Sequence, residues 1–318
     1  MTGKNIYQWG TERRFNSLSD YFKRKFGGRV QKVSVNAGFT CPNRDGRSGR
    51  GGCTYCDSMA FIPRYCLPTL PVRDQIKKGI DFHKKRYRRA DKFLAYFQSY
   101  TNTYDNPEKL RELYSEALSV PGVIGLVIGT RPDCVDSEIL NLIASFGRSH
   151  YVVVEYGMES CYDRTLKEIN RGHDFETSVA AIRKTAERGI RVGGHLIFGL
   201  PGESREEMIA QAGILSSLPL NSMKFHQLQV IRGTLMARQY KNEPEKFTFF
   251  EPDEYLDFMV DFVERLSPSV IIERFAGEVP PRFLEGGVKW GLRSEQVLSL
   301  FEKKLEQRDS WQGKLFIR

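Results

Sequence analysis

The sequence predicts an α/β fold, a partial (β/α)6-type TIM barrel with short N- and C-terminal extensions. Three observations carry that prediction. Short apolar runs alternate regularly with amphipathic stretches, the pattern of a parallel sheet covered by helices. Six or seven such units fit into about 250 residues, the size of a complete or partial barrel. The most unusual sequence lies in the loops after those runs, where barrels and open α/β sheets hold their ligands. A doubly wound sheet is the alternative.

The elements follow in order. Residues 30–35 (VQKVSV) read as a strand, and a Cys-rich loop follows. Residues 71–88 have the pattern of a helix, and 93–98 (FLAYFQ) of a strand. Residues 107–119 form a helix with Asn106 as its N-cap. Residues 123–129 (VIGLVIG) are a fully apolar strand, 137–146 a helix and 151–156 (YVVVEY) a strand. Helices are expected near 162–169 and over 175–188, the second stopped by Gly189. A strand at 191–198, a helix at 206–217, a strand at 223–230, a helix at 253–266 and a strand at 270–274 complete the series. Domain boundaries are expected at 1–29 (a basic, aromatic extension), 30–280 (the barrel) and 281–318 (a C-terminal extension).

Of 318 residues, 40% are hydrophobic and 27% charged, with 21 Phe and 14 Tyr, enough for a sizeable core. This excludes wholesale disorder, collagen-like repeats and a simple coiled coil. No apolar run approaches the roughly 18 residues of a membrane helix, so no membrane partner is expected. The opening MTGKNIYQWGTERRF has no apolar signal core, and the expected location is the cytoplasm. The net charge of +9 attracts polyanions.

Six cysteines are present, and three of them crowd into the loop CPNRDGRSGRGGCTYC as C-x11-C-x2-C: Cys41, Cys53 and Cys56. Three thiolates on one loop can hold three corners of a four-iron cluster and leave one iron open. The alternative is a zinc site with Cys66 as fourth ligand. Cys134 and Cys161 stand apart and read as packing residues.

Further motifs decide between the two. VEYGMES (154–160), INRGHD (169–174) and GGHLIFGLPGES (193–204) follow the cysteine loop in order. Together they resemble the radical S-adenosylmethionine (SAM) superfamily over about 30–280, in the branch of the Elongator catalytic subunit and the coproporphyrinogen dehydrogenases. The enlarged first cysteine gap, YFQSYTNTY (96–104) and IGTRPD (128–133) resemble a bacterial subfamily of YhcC- and YtqA (MnmL)-type proteins. The resemblance implies a [4Fe-4S] cluster on Cys41, Cys53 and Cys56, with SAM bound to the open iron through its amino and carboxylate groups. Reductive cleavage of SAM would yield a 5′-deoxyadenosyl radical that removes a hydrogen atom from the substrate. It also implies a reductant such as flavodoxin or ferredoxin.

Roles for other residues follow from the matched motifs. Tyr55 matches an aromatic flanking the adenine, and Gln98 and Ser99 a position near the SAM amino group. Thr130 and Arg131 end the third strand, and Asp133 pairs with Arg131 or faces substrate. Glu159 matches a SAM contact, and Arg171 is suited to the SAM carboxylate through its planar fork. His195 is expected to point into the barrel. Gly199, Leu200 and Pro201 form a turn near the adenine. Gln227 and Gln229 share one face of the sixth strand, with His226 on the other. Glu273 and Arg274 end the last strand as candidate substrate contacts.

Two basic groups, Arg13–Lys25 and His83–Arg89, are expected to grip RNA, the first with interleaved aromatics from Tyr7 to Phe26. Combined with the resemblance, this implies tRNA as partner, held by its anticodon arm. The implied reaction converts the carboxymethylaminomethyl side chain of a wobble uridine to aminomethyl. The alternatives are a radical SAM enzyme acting on a small molecule and a non-enzymatic zinc protein that binds RNA.

Overall fold

A computed structural model describes residues 5–57, 62–87 and 90–317. The chain opens with helix α1 (Leu18–Phe26) and strand β1 (Val30–Val35). A single turn, α2 (Pro42–Asp45), lies in the cysteine loop, followed by α3 (Val72–Arg86). The alternation continues through β2 (Lys92–Phe97), α4 (Pro107–Leu118), β3 (Val123–Thr130), α5 (Ser137–Gly147) and β4 (Tyr151–Glu159). Next come α6 (Asp163–Glu168), α7 (Phe175–Glu187), β5 (Arg191–Phe198), α8 (Arg205–Ser216) and β6 (Ser222–Gln227). The remainder is β7 (Val230–Ile231), α9 (Leu235–Asn242), α10 (Pro252–Arg265), β8 (Ile271–Arg274), β9 (Leu284–Gly286) and α11 (Ser294–Gln307).

Seven strands form one parallel sheet in the order β1-β2-β3-β4-β5-β6-β8, so the barrel is partial and β1 and β8 are its free edges. Alternation within each strand divides the core in two. On β2, Phe93, Ala95 and Phe97 face the surrounding helices, while Leu94 and Tyr96 face inward. Helix starts follow the expected capping chemistry. Asn106, Asp136 and Asp174 each accept a hydrogen bond from the backbone N–H three residues on, and Ser204 with Glu207 forms a reciprocal capping box.

The N-terminal extension is part of the fold. Helix α1 inserts Phe22 against Val30, Leu94 and Tyr151, at or next to the starts of their strands, and closes that end of the barrel. The backbone N–H of Ile272 donates to the carbonyl of Asn16, so the chain before α1 covers the free edge of β8. The expected strand at 223–230 ends at Gln227. Its neighbour β5 ends at Phe198, and Leu228 makes the last backbone bond to it before the chain turns away. Val230–Ile231 instead pairs antiparallel with β9.

Helix α1 and the basic end of α3 lie away from the C-terminal ends of the strands. Helix α3 starts after β1 and ends before β2, so His83–Arg86 come to the closed end of the barrel, opposite the ends of the strands. Arg88 and Arg89 lie outside the described residues. The aromatics of the N-terminal extension pack within the protein: Trp9, Phe15 and Phe22 are buried, and Tyr7 stacks on Trp9 with centroids 5.1 Å apart. Arg13 is held by Asp20 and Glu302, and Arg14 by Asp309. These side chains stabilise the extension rather than present a stacking surface.

Candidate active site

A cavity of about 430 Å³ opens at the C-terminal ends of the strands. The loop after β1 brings Cys41, Cys53 and Cys56 to its wall together, with Tyr55 between the last two. Gly52 turns the loop at φ 81°, and a Cβ there would lie 2.9 Å from the Arg44 side chain. Arg44 donates to the carbonyl of Cys56 at 2.9 Å. Burial and the neighbouring Cys53 push the Cys56 thiol up to about 11.

Arg171 reaches this wall from the loop after α6. It is buried, donates to Cys53 Sγ at 3.4 Å and to the Gly157 carbonyl at 2.6 Å, and lies 3.9 Å from the Glu159 carboxylate. Burial alone would lower its basicity, but Tyr55, Cys53 and Glu159 hold it well above the ordinary arginine value. Its Nε has no protein partner. Gly157 makes the approach possible, because a Cβ there would lie 2.9 Å from the guanidinium. Glu159 itself sits at φ 69°, and Tyr100 and Asn170 beside the cavity also have positive φ, at 62° and 50°. Left-handed backbone at non-glycine residues concentrates where a site holds its groups in place.

Of the other expected site residues, Gln98, Ser99, Glu159 and His195 line the cavity, and Ser34 donates to Gln98 at 3.3 Å. Thr130 lies on the rim but has its hydroxyl 2.6 Å from that of Thr103. Gln227 also borders the cavity, with its amide bonded in both directions to the backbone of Gly277. Gly199 is set apart from it, at a turn against Thr248 and Phe250. Arg131 and Asp133 form a bidentate pair at 2.8 Å, which settles the choice offered for Asp133.

Deeper in the barrel lies a ring of charge that the motifs did not bring out. Lys32 bridges Glu155 at 2.6 Å and Glu273 at 2.5 Å, and Lys224 bridges the same two carboxylates at 2.6 and 3.1 Å. Tyr96 accepts from Lys224, and His195 meets Glu155 at 3.1 Å. Burial would raise the Glu155 carboxyl, but Lys224 and Lys32, aided by His195, hold it well below the usual range. The available signal was a charge inside an apolar strand: Glu155 in YVVVEY and Lys224 in SMKFHQ.

Residues 40–211 match the Radical SAM superfamily, and residues 220–307 match the Radical_SAM C-terminal domain. The chain is 36% identical to YtqA of Bacillus subtilis over 97% of its own length and 94% of that protein. It is 33% identical to YhcC of Escherichia coli over 82% of each chain. A more distant similarity, 27% over 57% of this chain and 34% of the other, links it to a tRNA uridine(34) acetyltransferase of Methanocaldococcus infernus. Among solved structures, the Elp3 protein of that archaeon shares the fold, with a TM-score of 0.64 and 19% identity over 89% of this chain and 64% of that one.

The residues fit the two cofactors of that superfamily, a [4Fe-4S] cluster and SAM. Cys41, Cys53 and Cys56 are the thiols that would hold the cluster, and the buried Arg171 with Arg44 supplies positive charge next to an anionic group. The unpartnered Arg171 Nε and the Glu159 carboxylate offer a donor and an acceptor to a zwitterionic ligand. Cys66 is otherwise engaged: it is buried, and its thiol donates to the Ser34 carbonyl at 3.0 Å. Cys66 is also not among the residues that line the cavity with Cys41, Cys53 and Cys56. A zinc site completed by Cys66 does not fit this arrangement.

Proposed function

This chain belongs to the radical SAM superfamily, and from that premise we propose that it is a tRNA-modifying enzyme acting on the side chain of a wobble uridine. The proposed reaction converts carboxymethylaminomethyl-uridine to aminomethyl-uridine. When bound, the cluster and SAM would supply a 5′-deoxyadenosyl radical able to take a hydrogen atom from the carboxymethyl group. The protein's own residues bind, orient and enclose. Arg171 and Glu159 anchor the polar groups of SAM, Tyr55 flanks its adenine, and Gln98 and Ser99 accept from its ammonium. The closed end formed by α1 keeps bulk water from reaching the reaction through the bottom of the barrel.

The observation that carries the tRNA reading is the similarity to a tRNA uridine(34) acetyltransferase over 57% of this chain. The mouth supports it, because Arg44, Arg47 and Arg50 are exposed on the cysteine loop, with Arg44 over the ring of Tyr100 and Arg47 over that of Tyr104. An anticodon loop offers unstacked bases to such a rim. The test is mass spectrometry of nucleosides from total tRNA with and without the gene. Accumulation of carboxymethylaminomethyl-uridine and loss of its aminomethyl product on deletion is the expected result. An unchanged wobble profile in a strain with no parallel pathway would reject the tRNA reading.

A further inference from the structure

The ring of Lys32, Glu155, Lys224 and Glu273 contains two cations and two carboxylates, each cation touching both carboxylates. It neutralises itself. Arg274, the last residue of β8, lines the same cavity and stands outside this balance. It has no carboxylate partner among the described residues. Among the described residues its side-chain hydrogen-bond partner is His226, and its Nε is buried without an acceptor. Burial, followed by Arg274, His195 and Lys224, holds His226 well below the usual histidine range, which favours the neutral ring: His226 can accept from the guanidinium but does not balance its charge. A guanidinium held in a cavity without a counter-charge is costly unless something that binds there completes it.

We propose that Arg274 receives an anionic group of the substrate, a carboxylate or a phosphate, at the wall of this cavity. The planar fork of arginine suits either oxyanion, and its free Nε is one of the two donors a bidentate contact needs. His226 packs against the guanidinium and positions it. The inference rests on the proposed wobble-uridine reading only for the source of the anion, which on that reading is the carboxylate of the carboxymethylaminomethyl group.

The test measures equilibrium binding to the cluster-loaded protein with SAM present. The probes are 5-carboxymethylaminomethyluridine, its uncharged carboxamide, 5-aminomethyluridine and uridine 5′-monophosphate. On the unaltered protein the carboxylate probe is expected to bind about ten-fold or more tightly than the carboxamide, as loss of a charge-assisted contact predicts. Arg274→Gln should remove that preference and Arg274→Lys should keep part of it. If the monophosphate shows the Arg274-dependent binding and the carboxylate probe does not, the anion site stands and the wobble-uridine reading falls. Equal binding of carboxylate and carboxamide, with a monophosphate indifferent to Arg274→Gln, overturns the inference without any appeal to folding of the variant. So does a fall in SAM affinity in Arg274→Gln, which would assign the anion to the cofactor.

Discussion

Glu159 combines backbone strain with a charged contact at the centre of the site. Its left-handed φ of 69° carries a cost of order 1–3 kcal/mol, which the surrounding packing sustains and which fixes the carboxylate beside Arg171. Glu159→Gln keeps the shape and removes the charge. SAM binding is expected to weaken about ten-fold, on the scale of one charge-assisted contact, while the iron content stays the same. Calorimetry of SAM binding on the reconstituted variant checks this, and an affinity equal to the parent's would remove Glu159 from the SAM contacts. Cys66 gives the complementary prediction. Cys66→Ala should retain about four irons per chain, the content of one four-iron cluster, whereas Cys53→Ala should lose them. Iron analysis after anaerobic reconstitution distinguishes the two. At this scale the sequence showed residues whose chemistry is local. The cysteine loop and Glu159 are readable from short motifs. The charge ring is not, because Lys32, Glu155, Lys224 and Glu273 come from four different strands and meet only once the sheet curls.

Among elements, α1 and the charge ring perform related tasks at the two free edges of the sheet. No backbone ladder joins β1 to β8, but Lys32 of β1 reaches Glu273 of β8. Removing one cation from a buried pair typically costs 3–5 kcal/mol, because the opposing charge is left uncompensated. Lys224→Met is therefore expected to destabilise the fold by about that amount near neutral pH. The pH dependence has a definite sign. Glu155 has a depressed folded pKa, so its contribution is present above the unfolded carboxyl value of about 4 and is lost as pH falls through the folded value. The gap between parent and Lys224→Met should be constant from about pH 8 to pH 5 and narrow below about 4. Urea titrations across that range provide the measurement, and a gap that widens in acid would contradict the ion-ring account. In α1, Phe22 is buried among Val30, Leu94 and Tyr151, so Phe22→Ala should cost about 3–5 kcal/mol. The alternating strands and capped helices were legible because their periods and caps are local. The packing of α1 is less legible in a basic, aromatic extension, because its last turn carries Lys23, Arg24 and Lys25 beside the apolar face that meets the barrel. The hairpin-like pairing of β7 with β9 joins segments some fifty residues apart and leaves no local trace.

Across the whole molecule, the topology separates charge from chemistry. Each helix of a parallel βα unit returns antiparallel to its strand, so basic residues at the end of α3 face away from the mouth by roughly the length of a six-residue strand, about 20 Å. A tRNA whose wobble base enters the mouth would contact the cysteine-loop arginines first. Substituting Arg47 and Arg50 by Gln should therefore weaken tRNA binding and flatten its salt dependence, each lost phosphate contact reducing the slope of log affinity against log salt by roughly 0.7–0.9. Both side chains are exposed, so stability should change little. Substituting Lys84 and Lys85 by Gln removes the same formal charge at the closed end and should leave the slope close to that of the parent. Filter binding of an anticodon stem-loop at several salt concentrations, with both double variants in parallel, decides the matter. If the α3 pair carries the slope and the loop pair does not, the RNA approaches from the closed end, and delivery of its base to this cavity by the mouth is ruled out.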